Sequence, residues 1–417
     1  MNLFRLLLSY PLHRATVAGL SFGAAIIGAR FLPADLFSAL ITAAFLAKFL
    51  QILNLGATAG YFIGRYSGQG LLAHCDPRAE RRYFAYFLGQ LGGLGLVVVT
   101  VTLIWFPEYR TGGIAFLLLA PLFAIEAALR YRRNFSFSLA PEFLLTLGLM
   151  SAVVAYLAGV AEHLVLMVYL LAIAVVGMLV LGISIFPHIS ELRGGDDQFA
   201  LRDYAQAVMS GGPVFLGSAL FLVSSSMDRL LLPLYGADEQ IAIYFLAYQL
   251  ALGSMIFVTA INFVNTVNLG QARQDEVYVD SGMVAKKMHS AALVALSSFL
   301  VLIAGSFVLE EWFLPDNFEG LTFVVLILGA GFALFFISNA ITPIVAYFHR
   351  QIPLTIAMGC AALVLAANNA WVYWSGLDIV WLAVGTAVAL SAYAIFAIWL
   401  TFLVLRQQIH LEIAEGI

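Results

Sequence analysis

A lysine, two amides and a tyrosine fall within one long apolar stretch and could together bind an anionic, polar group. These residues are Lys48, Gln51, Asn54 and Tyr61. An ammonium group attracts negative charge, while amides and hydroxyls exchange hydrogen bonds with a polar ligand. On a continuous helix, Lys48, Gln51 and Tyr61 share one face with Thr58 and Arg65, and Asn54 lies close to it. The spacing predicts one polar face on an otherwise apolar helix.

The composition indicates which environment surrounds that helix. Hydrophobic residues make up 62% of the 417 positions, charged residues make up 11%, and the mean hydropathy is +0.96. A soluble protein carries about 25% charged residues. The sequence therefore predicts a membrane protein. Its formal net charge of −4 is spread over the loops and gives no support for nucleic-acid binding.

Apolar runs of about 20 residues, long enough to cross the hydrocarbon core, recur along the chain. We predict an all-α polytopic membrane protein with twelve transmembrane helices in two six-helix lobes around a central cavity. The lobes are residues 1–190 and 208–417, joined by a cytoplasmic linker at 191–207. The predicted spans are 13–32, 36–64, 83–106, 113–131, 136–160, 163–187, 208–232, 241–270, 287–309, 320–346, 353–375 and 379–405.

Lys48 lies deep in the second predicted span. Counting from Asp35 or Phe37 at about 1.5 Å per residue places it about 16 to 20 Å into the membrane. An unpaired lysine facing lipid there costs about 2.5 to 3.5 kcal/mol. We therefore expect Lys48 to face protein or water. A structural ion pair and a side chain that extends to the interface are the alternatives.

The eighth predicted span, in the second lobe, carries a similar polar face. Tyr248 and Asn262 lie on it, and Asn265 lies at its edge. Two polar faces in matching positions predict a hydrated cavity between the lobes. The alternative is that such residues hydrogen-bond across packed helices without enclosing water.

Other ionisable residues fall near the ends of predicted spans. Arg30, Asp228 and Arg229 lie at the outer ends of helices 1 and 7, where they either line a vestibule or anchor the interface. Glu126 lies near the cytoplasmic end of helix 4, beside a run of arginines. An interfacial salt-bridge cluster and a role in ion coupling are the two readings of Glu126.

The basic residues predict the orientation. With twelve spans, sixteen of the twenty lysines and arginines fall on the side that holds both termini. Only Arg30, Arg110 and Arg229 fall on the opposite side, and Lys48 lies within a span. Cytoplasmic loops retain lysine and arginine during insertion. We therefore expect both termini in the cytoplasm.

Motifs for enzymatic chemistry are missing from the sequence. It contains no GxxxxGK phosphate-binding loop and no HExxH pair, and its seven histidines show no ligand spacing. The two cysteines, Cys75 and Cys360, do not predict a disulfide. We expect no enzymatic activity, no metal site and no cofactor.

Three segments resemble bacterial polysaccharide-unit flippases. The stretch "SSSMDRLLLPLYGADEQIAIYFLAYQLA" (residues 224–251) is similar to the seventh and eighth helices of that family, with its Asp-Arg pair. The stretch "LPADLFSALITAAFLAKFLQILNLGATAGYFIGRYSG" (32–68) is similar to the first outer loop and second helix. Residues 347–396 resemble the closing pair of helices. These flippases belong to the multidrug, oligosaccharidyl-lipid and polysaccharide exporter superfamily.

This resemblance implies a flippase of the inner (cytoplasmic) membrane that moves a polyprenyl-diphosphate-linked oligosaccharide to the outer leaflet. It implies that Lys48 attracts the diphosphate and that Arg30 and Arg229 receive charge near the outer exit. A polysaccharide polymerase, glycosyltransferases and membrane lipids are the implied partners. The implied sugar-binding residues are Gln51, Asn54, Tyr61, Tyr248, Asn262 and Asn265.

Two other functions stay open. An ion-coupled drug or metabolite antiporter of the same superfamily would need a buried carboxylate, for which Asp228 and Glu126 are the candidates. An integral membrane enzyme that modifies glycans is the other alternative. The short loops and the lack of a histidine cluster argue against such an enzyme.

Overall fold

The computed structural model describes residues 3–57, 77–131, 139–185, 201–255, 281–347 and 352–415. These ranges are helical almost throughout and contain no β-strand. The chain divides into an N-terminal unit, Leu8–Ala219, and a C-terminal unit made of Met1–Leu7 and Leu220–Ile417. The predicted all-α class is confirmed, whereas the predicted lobe boundaries stay a prediction.

Seven helices begin in the first half of the described chain. They are α1 (Leu3–Phe31), α2 (Ala34–Phe49), α3 (Pro77–Trp105), α4 (Arg110–Tyr131), α5 (Ala140–Leu157), α6 (Glu162–Ile185) and α7 (Leu201–Ser224). Seven more follow: α8 (Met227–Leu231), α9 (Asp238–Ser254), α10 (Ser281–Val308), α11 (Leu321–Asn339), α12 (Thr342–Tyr347), α13 (Ile352–Ser375) and α14 (Ile379–Glu415).

The number of membrane spans agrees with a polytopic protein. Nine helices in the described ranges are long and apolar enough to cross a membrane, and a tenth is added if the bent pair Phe215–Ser224 and Met227–Leu234 forms one span. Each of the twelve predicted spans contains a helix in the described ranges. Of these, α1 is not among the nine, and the 17-residue α9 is shorter than the roughly 20 residues that a span needs.

In the N-terminal unit, α4 packs against α2, α3 and α6, and α6 also packs against α5. The side chains of Phe116 and Leu119 on α4 are fully buried. Most residues of α4 are apolar, and most of those described are buried or partly buried. The unit therefore has α4 at its core.

In the C-terminal unit, α11 packs against α9, α10 and α14. The backbones of α11 and α14 approach closely at Gly331, where an added Cβ would lie 2.6 Å from the Cα of Ala387. Small residues permit such close approach between membrane helices. Gly331 is therefore required for the packing of this pair.

Two helices begin before the predicted spans. Residues 3–31 form one continuous helix, which begins ten residues before the first predicted span, 13–32. Helix α7 begins at Leu201, within the stretch 191–207 that was predicted as the linker. Tyr204 and Ala207 are buried and three residues apart, and the other residues of 201–207 are exposed, which is typical of an amphipathic helix.

Candidate functional site

Lys48 lies in the last turn of α2. Its side chain is partly buried, whereas the neighbouring Ala47 is fully buried. No hydrogen bond or ion pair joins the Lys48 side chain to another group in the described ranges. The predicted alternative of a structural ion pair has no support in that part of the chain. A cation near the negative end of a helix dipole is also favoured electrostatically.

The helix that was predicted to continue to residue 64 ends at Phe49 as an α-helix. Residues Leu50–Asn54 form a 3₁₀ helix, which has about three residues per turn. Leu55 follows with φ 50° and ψ 27°, a left-handed conformation that costs a non-glycine residue about 1 to 2 kcal/mol. Gly56 follows with φ 83°. We call residues Leu50 to Gly56 the α2 break.

The α2 break corrects the predicted polar face. Gln51 and Asn54 are partly buried on the 3₁₀ helix, as Lys48 is on α2. The Asn54 side-chain oxygen accepts a hydrogen bond of 2.9 Å from the Gly56 N–H, so it stabilises the turn. Lys48 and Tyr61 would share one face only on an uninterrupted α-helix, which the turn excludes. Tyr61 itself lies outside the described residues.

Two side chains from other helices contact the α2 break. The Gln90 amide on α3 donates a hydrogen bond of 2.7 Å to the Leu53 carbonyl. The Tyr204 hydroxyl on α7 donates one of 2.6 Å to the Gln90 side-chain oxygen. Carbonyl groups near the end of a helix lack helical partners, so a side-chain donor compensates for this loss.

A second polar cluster lies in the C-terminal unit, where the predicted seventh helix is broken. Helix α7 ends at Ser224, and α8 begins at Met227 after a bend of 64°. The Ser224 and Ser225 hydroxyls donate to the carbonyls of Leu220 and Leu222 in the preceding turn. Such bonds compete with regular helical geometry and bend helices.

Asp228, in the first turn of α8, is completely buried. Its carboxylate accepts hydrogen bonds from the Tyr244 hydroxyl on α9, from the Thr386 hydroxyl on α14 at 2.7 Å, and from the Arg229 backbone N–H at 2.7 Å. A buried carboxylate is tolerated only with such partners. We call Asp228, Arg229, Tyr244, Tyr248 and Thr386 the Asp228 cluster.

Arg229 supplies the positive charge of this cluster. Its guanidinium carbon lies 3.4 Å from the centre of the Tyr248 ring, within the range of a cation–π interaction. A guanidinium N–H also donates to the Ser225 carbonyl at 3.2 Å and to the Ser226 hydroxyl at 3.1 Å. The Tyr248 hydroxyl donates to the same Ser225 carbonyl. The Ser225 carbonyl, which lies at the helix break, therefore accepts two side-chain hydrogen bonds.

These contacts differ from the polar face that was predicted for Tyr248. Only 1% of Tyr248 is exposed, and its hydroxyl and ring are both engaged. Arg229 is partly buried and holds the helix break. Sugar binding by Tyr248 and the place of Arg229 near the outer exit stay predictions. The described part of α9 is buried on nearly all sides from Ile241 to Tyr248, so it presents no polar face.

The remaining predicted residues are spread over the chain. Arg30 is exposed in the last turn of α1, and Glu126 is partly buried on α4. Asn262 and Asn265 lie outside the described residues. Within the part of the chain that the structure describes, no group of three histidine, cysteine, aspartate or glutamate side chains could hold a metal ion.

Sequence reasoning missed Gln90, Tyr204 and Thr386. Thr386 and Asp228 are 158 positions apart, and Tyr204 and Gln90 are 114 apart. Periodicity reports only neighbours on one helix, so it cannot pair such residues. The only available signal was that a glutamine and a threonine interrupt long apolar helices.

The described helices define a multi-pass membrane protein. No protein-family model matches the chain, and no curated protein sequence does. Solved structures do match. An inward-facing multidrug resistance MATE family transporter of the MOP superfamily has a TM-score of 0.64 at 14% identity, over 96% of this chain and 98% of that chain.

Two further structures agree. The lipid II flippase MurJ, in an inward closed conformation, has a TM-score of 0.70 at 11% identity, over 94% of this chain and 86% of that chain. A MATE structure in a bent conformation has a TM-score of 0.58 at 14% identity, over 98% of both chains. At these identities the likeness shows the fold alone. The chain therefore has the fold of MOP superfamily transporters.

Proposed function

We propose that this protein is a flippase that carries a polyprenyl-diphosphate-linked oligosaccharide across the cytoplasmic membrane by alternating access. The observation that carries the proposal is Lys48, a partly buried cation within the apolar span Ala34–Asn54 and without an acidic partner in the described ranges. A cation in that position is costly unless it meets water or an anion. A diphosphate headgroup supplies the anion. Gln51, also partly buried, supplies an amide for a neighbouring sugar.

The fold supports a lipid-linked substrate. MurJ, which shares this fold over 94% of the chain, is itself a lipid II flippase. In our proposal both termini lie in the cytoplasm, as the distribution of lysine and arginine predicts. A glycan polymerase and glycosyltransferases would then be functional partners on the two sides of the membrane.

Asp228 is the proposed coupling residue. Its carboxylate is completely buried and accepts three hydrogen bonds. The two hydroxyl donors, Tyr244 and Thr386, can also accept hydrogen bonds. They can therefore reorient when Asp228 takes up a proton or a cation. Glu126, which is only partly buried, is the second candidate for this role.

A drug or metabolite antiporter is the second candidate function. It is favoured by the buried carboxylate of Asp228 and by the MATE transporters that share the fold. An antiporter would use Asp228 and would not need a cation at Lys48. The two candidates therefore predict different sensitivities to substitution of Lys48.

The test is reconstitution into vesicles with a fluorescent diphosphate-linked oligosaccharide and a membrane-impermeant quencher. The Lys48→Ala variant should lower the flipping rate about tenfold or more, because a charge-assisted interaction is worth about 1.5 to 3 kcal/mol. The Lys48→Arg variant should retain most of the activity, since it keeps the charge. Lys286→Ala, which removes an exposed lysine of α10, is the control and should change nothing.

The same vesicles test the antiporter. Ethidium efflux driven by a proton or sodium gradient, lost in Asp228→Asn and intact in Lys48→Ala, would favour the antiporter over the flippase. Full flipping activity in Lys48→Ala would exclude the proposed role of Lys48.

A further inference from the structure

The α2 break contains a backbone conformation that needs support. Leu55 adopts a left-handed conformation, which is unfavourable for a residue with a Cβ atom. Within the described residues 3–57, two local bonds support it: the Leu55 N–H bonds to the Ile52 carbonyl at 3.2 Å, and the Gly56 N–H bonds to the Asn54 side chain. A strained turn persists when the surrounding structure holds it in place. The contacts that hold this one come from α3 and α7.

One face of α7 lies against the α2 break. Tyr204, Ala207, Gly211 and Phe215 are spaced by three, four and four residues, so they form one stripe along the helix. At Gly56 an added Cβ would lie 2.9 Å from the Gly211 carbonyl carbon and oxygen and from the Phe215 Cβ. The turn is therefore packed directly on the backbone of α7.

Two hydrogen bonds connect the same stripe to the break. The Leu53 carbonyl can only accept, so the Gln90 NH₂ group must face it. The Gln90 oxygen is then turned towards Tyr204, whose hydroxyl donates to it. The two bonds therefore run in one direction. The Tyr204 hydroxyl donates to Gln90, and the Gln90 amide donates to the Leu53 carbonyl. The Tyr204 ring is itself fixed between Tyr83 and Tyr86, with ring centres 5.8 Å and 5.7 Å away.

We infer that Gln90 and Tyr204 are positioning residues, which hold the α2 break and thereby fix Lys48 at the end of α2. Lys48 is five residues before Leu53, the residue whose carbonyl Gln90 holds. The last turn of α2 continues directly into the 3₁₀ helix, since the Leu50 N–H bonds to the carbonyls of Leu46 and Lys48. Movement of the break would therefore move Lys48. The importance of this position for binding rests on the proposed function.

The first test is hydrogen exchange of the full-length protein in nanodiscs, read on peptides that cover residues 50–57. Tyr204→Phe removes only the donor to Gln90. Gln90→Glu keeps that acceptor, replaces the donor to Leu53 with a second acceptor oxygen and adds a negative charge. Each should raise exchange of the Leu55 and Gly56 amides about fivefold, the effect of losing one hydrogen bond. Unchanged exchange in both variants would overturn the inference.

The controls are matched by helix and by residue type. Thr100→Val lies on α3, as Gln90 does, and removes a hydroxyl that bonds within its own helix to the Leu96 carbonyl. Tyr156→Phe removes the hydroxyl of a partly buried tyrosine on α5. Neither variant should alter exchange at residues 50–57. An equal increase in the controls would contradict a specific role for Tyr204 and Gln90.

The second test measures the position of residue 48 without any substrate. A spin label is attached at Lys48→Cys, with Cys75 and Cys360 replaced by serine, and a second variant carries the label at Ala39→Cys in the middle of α2. Tyr204→Phe should increase the mobility of the label at 48 and leave that at 39 unchanged. Gln90→Leu, which removes both bonds of Gln90, should do the same. Unchanged spectra at 48 in both variants would show that the two residues do not position it, and would overturn the inference.

The third test connects the positioning residues to binding. Inorganic pyrophosphate is the probe, and its affinity is measured in a double-mutant cycle. Tyr204→Phe should weaken affinity about fivefold when Lys48 is present and should have no further effect in Lys48→Ala. An equal loss in both backgrounds would show that Tyr204 does not act through Lys48. If the unmodified protein does not bind pyrophosphate, the proposed substrate is wrong, and the first two tests still decide the positioning role.

Discussion

Replacement of Asp228 separates the structural role of its hydrogen bonds from the role of its charge. In Asp228→Asn, the amide oxygen can keep the bond from the Arg229 N–H. The NH₂ group then faces the hydroxyls of Tyr244 and Thr386, which can turn to accept. In Asp228→Leu, all three donors lose their acceptor inside a buried site.

The magnitudes follow from these contacts. Asp228→Asn loses only the charge assistance of its bonds, about 1 to 2 kcal/mol. Asp228→Leu leaves three buried donors without their acceptor and removes the negative charge beside Arg229, which costs about 3 to 5 kcal/mol. A loss of 1 kcal/mol lowers Tm by about 2 to 4 °C for units of 150 to 250 residues. We therefore expect Tm to fall by roughly 2 to 8 °C for Asn and by about 6 to 20 °C for Leu.

Thermal unfolding in detergent is the assay for stability, and transport driven by a proton or sodium gradient is the assay for coupling. Asp228→Asn should remain folded but lose the dependence on the gradient, because it lacks the carboxylate that we propose exchanges a proton or a cation. Asp378→Asn, an exposed aspartate before α14, is the control. Equal stability of the Asn and Leu variants would refute the hydrogen-bonding argument. Gradient-driven transport at the unmodified rate in Asp228→Asn would refute the coupling role.

Two further predictions concern local structure in the C-terminal unit. Both oxygens of the Glu310 carboxylate accept bonds of 2.7 Å, from the N–H groups of Gly320 and Thr322 at the start of α11. Glu310→Gln turns an NH₂ group towards one of these two N–H groups, so hydrogen exchange of the Gly320 and Thr322 amides should rise about tenfold. Glu311→Gln is the control and should not change that exchange. Gly331→Val should lower stability by about 1 to 3 kcal/mol through overlap with α14, measured by thermal unfolding. Gly305→Ala, where nothing lies within 4 Å of the added Cβ, is its control, and an equal loss there would contradict the packing argument.

The sequence predicted the fold well because membrane spans are long and their signal is strong. Twenty consecutive apolar residues leave few alternatives to a membrane helix, since backbone groups in lipid must bond internally. Features of the sequence also indicate where α2 and α9 begin. Each follows a proline-containing turn and has an aspartate, Asp35 or Asp238, in its first turn, where a negative charge favours the helix N-terminus.

The breaks within helices were not predictable from the same signal. Hydropathy treats residues 36–64 and 208–232 as single spans, because Asn54 and Ser225 change the average hydropathy little. Yet Leu55 in a left-handed conformation ends one helix, and the serine-rich stretch before Met227 bends the other. The positions of Tyr204 and Thr386 depend on these bends and on packing between distant helices. Helical spacing alone therefore placed Tyr248 on a polar face that the structure buries.

The most direct test of the central claim compares two ligands at Lys48. Affinities of a polyprenyl-diphosphate-linked oligosaccharide and of a neutral analogue without the diphosphate are measured in nanodiscs, in the unmodified protein, in Lys48→Ala and in Lys48→Arg. We expect the unmodified protein and Lys48→Arg to prefer the diphosphate about tenfold or more, and Lys48→Ala to lose that preference. A preference that persists undiminished in Lys48→Ala would contradict the assignment of Lys48 as the residue that binds the anionic headgroup.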